Sequence, residues 1–221
     1  KYRLVGSEMC IRDSSFISIE GNIGSGKTTF AQMLAEQFQC KLILEQFADN
    51  PFLPKFYNQP EKHAFPLELF FMAERYQQLT EYASGDLFAT QVISDYFFMK
   101  SKLFAQNNLK EDEFLLFNRL SDIALKNLPR PDLLLYLHSD VTRLQANINE
   151  RGRDYEQNIS KEYLIQIQER YFDYFKKQND FPVIIIDVSR VDFVLDALVY
   201  QKIVSLFEKE YEVGLHRISL A

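Results

Sequence analysis

Gly21-Asn22-Ile23-Gly24-Ser25-Gly26-Lys27-Thr28 is the stretch whose reading decides the fold. It fits G-x-x-x-x-G-K-[ST], and its flanks are those the motif requires. An apolar run over 16–20 leads in, and Thr29, Phe30, Met33, Leu34 and Phe38 mark an amphipathic helix leading out. Glycines let the backbone curl until successive N–H groups face phosphate oxygens, and the helix start adds its positive end. Lys27 is expected to reach the β- and γ-phosphates and the Thr28 hydroxyl to ligate Mg²⁺. A plain glycine turn before a helix gives no reason for the Lys-Thr pair that follows. Gly21, Asn22, Ile23, Gly24, Ser25, Gly26, Lys27, Thr28 and Thr29 are therefore read as a nucleoside triphosphate site, with ATP as the phosphate donor.

Working outward, five short apolar runs at 16–20, 41–45, 91–95, 132–138 and 182–188 alternate with segments of helical spacing. Leu133-Leu134-Leu135-Tyr136-Leu137 and Val183-Ile184-Ile185-Ile186 are apolar on both faces, as strands are when helices cover both sides of a parallel sheet. The expectation is an α/β fold of the P-loop NTPase type, a five-stranded parallel sheet ordered 2-3-1-4-5 and flanked by helices. Helices are expected near 27–39, 63–84, 98–107, 111–127, 140–150, 160–178 and 191–209. Ser139 and Asp140 stand ready to cap the helix that Gly152 follows. Four of the seven prolines fall between Pro51 and Pro66, an irregular stretch between short helices.

The chain has 221 residues, 47% hydrophobic and 25% charged, which suits one globular domain over 15–221 and excludes a disordered or fibrous class. Residues 1–14 carry no pattern that continues into the domain and are read as an unstructured leader or a fusion or sequencing remnant. No run of 18 apolar residues occurs, so no membrane span is expected. Cys10 and Cys40 lack metal-ligand spacing and point to a reducing compartment, the cytoplasm. A net charge of −6 argues against a broad nucleic-acid surface while leaving room for a local cationic pocket.

The guanine-nucleotide switch strings D-x-x-G and N-K-x-D do not occur. Arg151-Gly152-Arg153, at a helix end in a charged loop, offers two guanidinium groups able to clamp a phosphoryl group in flight, the work of a kinase lid. Glu45 and Asp95 close the second and third apolar runs, at the carboxyl edge where open α/β sheets bind ligands. A carboxylate there can accept a hydroxyl proton or hold Mg²⁺ opposite Thr28.

The phosphate loop, Leu44-Glu45, Asn50-Pro51 through Phe56-Tyr57, and Arg151-Gly152-Arg153-Asp154-Tyr155-Glu156 follow one another in an order that resembles the deoxynucleoside kinases. The likeness runs from about Ser15 to Val194 and is nearest to the purine-specific bacterial members. It extends to kinase domains that some marine bacteria fuse behind a pterin pyrophosphokinase, which would make the leader the place of a lost partner domain. The resemblance implies that Glu45 is the base acting on a 5′-hydroxyl, and that Tyr57 and Glu156 hold the sugar 3′-hydroxyl. It further implies a glutamine seven residues before Arg75 to read the base; here that position is Glu68. A carboxylate offers acceptors only, which matches the neighbouring N1–H and N2–H₂ donors of guanine, whereas adenine would need the acid protonated or a water. The fused relatives point to adenine, so the base is left open between the two purines. An acidic residue followed by arginine is the family pattern at Asp95, but Tyr96 follows it, and Lys100 one helical turn on is the candidate replacement. Asn147 replaces an arginine that faces the donor adenine. A homodimer through helices 63–84 and 111–127 is also implied. A nucleoside monophosphate kinase, a ribonucleoside kinase and a nucleotide-binding module without turnover are the alternatives.

Overall fold

Alternate residues of a strand face opposite sides of its sheet, and the two most apolar strands use both faces. Leu135, Leu137, Ile184 and Ile186 pack on one side with Phe30 and Leu34, while Leu134, Tyr136, Val183 and Ile185 pack on the other with Tyr171 and Phe175. A computed structural model describes residues 16–47, 50–84 and 91–220; the leader expected over 1–14 lies outside the described residues.

In chain order the elements are β1 (Phe16–Gly21), α1 (Lys27–Phe38), β2 (Lys41–Ile43), α2 (Leu53–Asn58), α3 (Pro60–Ser84), β3 (Val92–Ser94), α4 (Lys100–Asn108) and α5 (Glu111–Leu125). They continue with β4 (Leu133–His138), α6 (Val141–Arg151), a 3₁₀ turn (Asp154–Glu156), α7 (Lys161–Lys177), β5 (Pro182–Asp187), α8 (Ala197–Val204), a second 3₁₀ turn (Ser205–Glu208) and β6 (Gly214–Ile218). The strands run parallel in the order β2-β3-β1-β4-β5-β6, so the expected order 2-3-1-4-5 stands and a sixth strand extends it beyond β5. That strand, Gly214-Leu215-His216-Arg217-Ile218, is half-buried at the sheet edge and carries two polar side chains, so it lacks the continuous apolar run that marks the inner strands.

Three boundaries differ from expectation for local reasons. The helix expected over 191–209 is only α8, because Asp192 accepts the N–H groups of Val194 and Leu195 and Asp196 those of Leu198 and Val199. Such side-chain turns compete with helical bonding until Asp196 becomes the cap. α3 begins at Pro60, where a missing N–H costs nothing, and runs on through Pro66. β2 stops at Ile43, since the N–H of Glu45 goes to the Asp95 carboxylate at 2.7 Å rather than to a strand carbonyl. Asp140 caps α6 by accepting from Arg143 N, and Gly152 ends it in the left-handed conformation, as the sequence suggests.

Since β1, β2 and β3 are parallel, the loops after all three open on the same edge, which brings residues 21–28, Glu45 and Asp95 together. The sheet's rigidity rests on its fully buried strands. Ile184→Ala in the centre of β5 should cost about 2–5 kcal/mol of unfolding free energy in urea, whereas Leu195→Ala, at an 86% exposed position, should stay within about 0.5 kcal/mol.

Candidate active site

The phosphate loop is held open by its glycines. Gly24 (φ 81°) and Gly26 (φ 82°) occupy the left-handed region. A Cβ on Gly24 would stand 2.7 Å from the Leu144 carbonyl oxygen, and one on Gly26 would stand 2.9 Å from the Phe193 ring. Asn22 serves the loop by tethering it: its amide donates to Leu164 O (2.8 Å) and its oxygen accepts from Ile23 N (2.8 Å). Lys27 Nζ lies across the loop, 3.3 Å from Asn22 O. Burial and the neighbouring Lys100 lower its pKa to about 8 against the pull of Glu45, Glu20 and Asp95.

Beyond the loop, carboxylates and cations interlock. Asp95 accepts the Thr28 hydroxyl (2.5 Å) on one oxygen and the Glu45 N–H (2.7 Å) on the other. Glu45 is gripped from both sides, by Arg75 Nε and Nη2 on Oε1 (2.9 and 2.5 Å) and by Lys100 Nζ on Oε2 (2.6 Å). Arg75 is itself steadied by donating to Ser101 Oγ (2.7 Å). Burial alone would raise the Glu45 pKa, but Lys100, Arg75 and Lys27 outweigh it and hold the carboxyl well below the usual range. Tyr96, which stands where the resemblance calls for an arginine, is buried and donates to Gln78 (2.7 Å); Lys100 takes the charged place beside Glu45.

The loop after α6 adds the other pole. Arg151 and Arg153 both pair with the buried Glu156, Arg153 at 3.2 Å, and the Arg153 guanidinium lies 3.9 Å from the centre of the Phe47 ring. Tyr57 stacks on Tyr155 (6.2 Å, 15°), and burial, with Tyr163 and Glu156 nearby, pushes its phenol well above the ordinary range. One cavity of about 890 Å³ is lined by the phosphate loop, Glu45, Tyr57, Glu68, Arg75, Asp95, Arg151, Arg153 and Glu156. The side chains read as site residues line this one cavity, apart from Asn22, which turns into the protein; Gly21, at the end of β1, does not line it. Among the phenylalanines near Glu68, Phe71 lines the cavity and Phe65 and Phe70 do not.

Glu68 lines the same cavity, is 2% exposed, and accepts from Asn108 Nδ2 on Oε1 (2.7 Å). Burial raises its pKa to about 7, against the Asn108 hydrogen bond and the charges of Arg75 and Lys100 and with a smaller push from Glu45. Asn147 donates to Gly24 O (2.7 Å), and Arg143, one turn earlier on α6, faces Asp192 at 3.6 Å. Asn108, Ser101, Phe47 and Arg143 escaped the sequence reading. Only spacing could have found Ser101 and Asn108, which lie on the α4 helix that carries Lys100.

A phosphate loop facing a clamped carboxylate, with two arginines lining the same cavity, fits a P-loop phosphotransferase that takes a small acceptor. The comparisons narrow the class. The chain matches the family "Deoxynucleoside kinase" over residues 17–211 and belongs to it. It is 34% identical to the deoxyguanosine kinase of Bacillus subtilis (strain 168) over 193 residues, 85% of this chain and 93% of that one. It is 28% identical to the deoxyadenosine/deoxycytidine kinase of the same organism, over 84% of this chain and 88% of that one. The fold is similar to that of a deoxyadenosine kinase from M. mycoides with bound dATP, with a TM-score of 0.72 at 22% identity over 85% of this chain and 98% of that one.

Because the folded-state pKa of Glu68 lies above its ordinary 4.5, its stabilising share is complete below pH 4.5 and fades as pH rises through about 7. Glu68→Gln removes that loss. Its unfolding free energy relative to wild type should rise by about 2–3 kcal/mol between pH 5 and pH 8, measured by urea unfolding at each pH.

Proposed function

We propose that the chain transfers the γ-phosphate of ATP to the 5′-hydroxyl of a purine deoxynucleoside. The observation that carries this reading is the Glu45 carboxylate, gripped by Arg75 and Lys100 and tied through Asp95 to Thr28 of the phosphate loop. A hydroxyl between Glu45 and the loop would lie in line with the γ-phosphate that Lys27 contacts. As its oxygen bonds to phosphorus, the proton passes to Glu45 and the bond to the ADP oxygen breaks. The paired cations suit this timing: they keep Glu45 ionised at rest, so that it takes the proton only as the new bond forms.

Arg151 and Arg153 turn from Glu156 toward the equatorial phosphoryl oxygens as the flap closes over ATP, and closure keeps water from the γ-phosphate. Tyr57 and Glu156 give the sugar 3′-hydroxyl a donor and an acceptor. The hydroxyl and carboxylate of Thr28 and Asp95, 2.5 Å apart beside the phosphate loop, suit a hard cation that keeps most of its waters. They would hold Mg²⁺, which would supply positive charge to offset that of the triphosphate. Arg143 and Asn147 line the donor end, where Arg143 can do the work of the arginine that Asn147 replaces.

Among the described residues no helix is long and apolar enough to cross a membrane, and an ATP-driven salvage reaction fits the cytoplasm. Leu115, Leu116, Leu120 and Ile123 stand exposed on α5, which supports a homodimer through that helix.

ADP release from MgATP should be strong with deoxyguanosine or deoxyadenosine and weak with adenosine, guanosine and dAMP; release with dAMP alone would move the chain to the monophosphate kinases. Glu45→Gln should keep ATP affinity by calorimetry while kcat falls about 10²–10⁴-fold. Turnover near wild type would remove Glu45 from the base's role.

A further inference from the structure

Glu68 and Arg75 both line the cavity from one helix, Glu68 seven residues before Arg75 and about 10 Å from it along the axis. A deoxynucleoside whose 5′-hydroxyl meets Glu45, beside Arg75, directs its base toward Glu68. This follows from the proposed reaction and rests on that reading. The carboxyl is buried, and Asn108 occupies one lone pair of Oε1, leaving Oε2 and the second lone pair of Oε1 for a ligand. Among the described residues no cation pairs with it: Arg75 is committed to Glu45 and Ser101, and Lys100 to Glu45.

We infer that the protonation state of Glu68 selects the purine: the carboxylate reads guanine and rejects adenine, while the carboxylic acid admits adenine, so that preference between the two deoxynucleosides changes with pH. Ionised, its two oxygens accept from guanine N1–H and N2–H₂. Protonated, its hydroxyl donates to adenine N1 while its other oxygen accepts from the adenine N6 amino group. The carboxylate meets adenine N1 acceptor against acceptor, a mismatch that a buried site penalises heavily, whereas the acid can still take guanine by donating to O6 and accepting from N1–H, so ionisation rejects adenine and keeps guanine.

The surroundings place this switch near neutrality. Burial raises the Glu68 pKa to about 7. The groups facing it are Arg75 from its own helix, Lys100 and Asn108 from α4, Glu45 after β2, and Tyr163 from α7. Glu45 is held far below neutrality; Arg75, whose burial is outweighed by Glu45, is pushed up, and burial pushes Tyr163 up as well.

The test is the ratio of kcat/KM for deoxyguanosine over deoxyadenosine, measured with both in one mixture between pH 6 and pH 8. Both substrates meet the same Glu45, flap and ATP, so their titrations cancel in the ratio. It should climb about tenfold per pH unit through the transition and level off where the disfavoured form still reads weakly. Glu68→Gln should give a ratio that does not change with pH. Asn108→Ala should move the midpoint to higher pH, since Asn108 stabilises the carboxylate, a displacement that a merely structural role for Asn108 would not produce. Both purines phosphorylated at a constant wild-type ratio, or a Glu68→Gln ratio that still follows pH, would overturn the inference and leave the proposed reaction standing. Phosphorylation of neither purine would overturn both.

Discussion

The Asp95 carboxylate joins three parts of the protein that are distant in sequence. One oxygen takes the Thr28 hydroxyl and the other the Glu45 backbone N–H, so the start of α1 and the chain after β2 are fixed against the end of β3. Glu45 then extends to Arg75 and Lys100, two buried cations from α3 and α4. Breaking a buried ion pair by removing one partner commonly costs 3–5 kcal/mol, because the remaining charge is stranded. Sheet edge, helix faces and cavity wall are thus one electrostatic unit.

The unit depends on helices that do little chemistry themselves. Tyr171 and Phe175 of α7 pack on Tyr136, and Tyr171 donates to the buried Glu20 at 2.9 Å, so the end of β1 is anchored from the far side of the sheet. Glu20 also accepts from Phe97 N and Gly21 N, which carries that anchor into the segment ahead of Lys100 and into the phosphate loop. The flap is tied less deeply. Its arginines share one carboxylate, Glu156, and Arg153 alone lies over the Phe47 ring, so neither is bound into the core.

Much of this could be read from the chain. The glycine-rich loop and the inner strands are legible as patterns, and the structure forms them in the expected order; the strand-edge acids and the paired arginines after α6 are also visible in the chain. What escaped was whatever depends on a neighbour. β6 is half-exposed and polar at two positions, so its pairing with β5 leaves no apolar signature. Asp192 and Asp196 shorten the last long helix through side-chain turns that a count of apolar spacing does not weigh. Lys100 could be named in sequence only as a candidate for the missing arginine's charge, and it is the packing of α4 against α3 that buries it on Glu45.

The sequence by itself determined a phosphate loop, a parallel sheet around it and a set of acids and arginines in a familiar order, because these follow from backbone freedom at glycine and from the burial of apolar runs. Tertiary structure alone decided the charge state of the key acids. Glu45 and Glu68 are the same side chain, yet two paired cations hold the first ionised while burial with a single neutral hydrogen-bond partner lifts the second to about 7. That difference lies in what surrounds each carboxyl, and three of those partners, Arg75, Lys100 and Asn108, are brought in by folding.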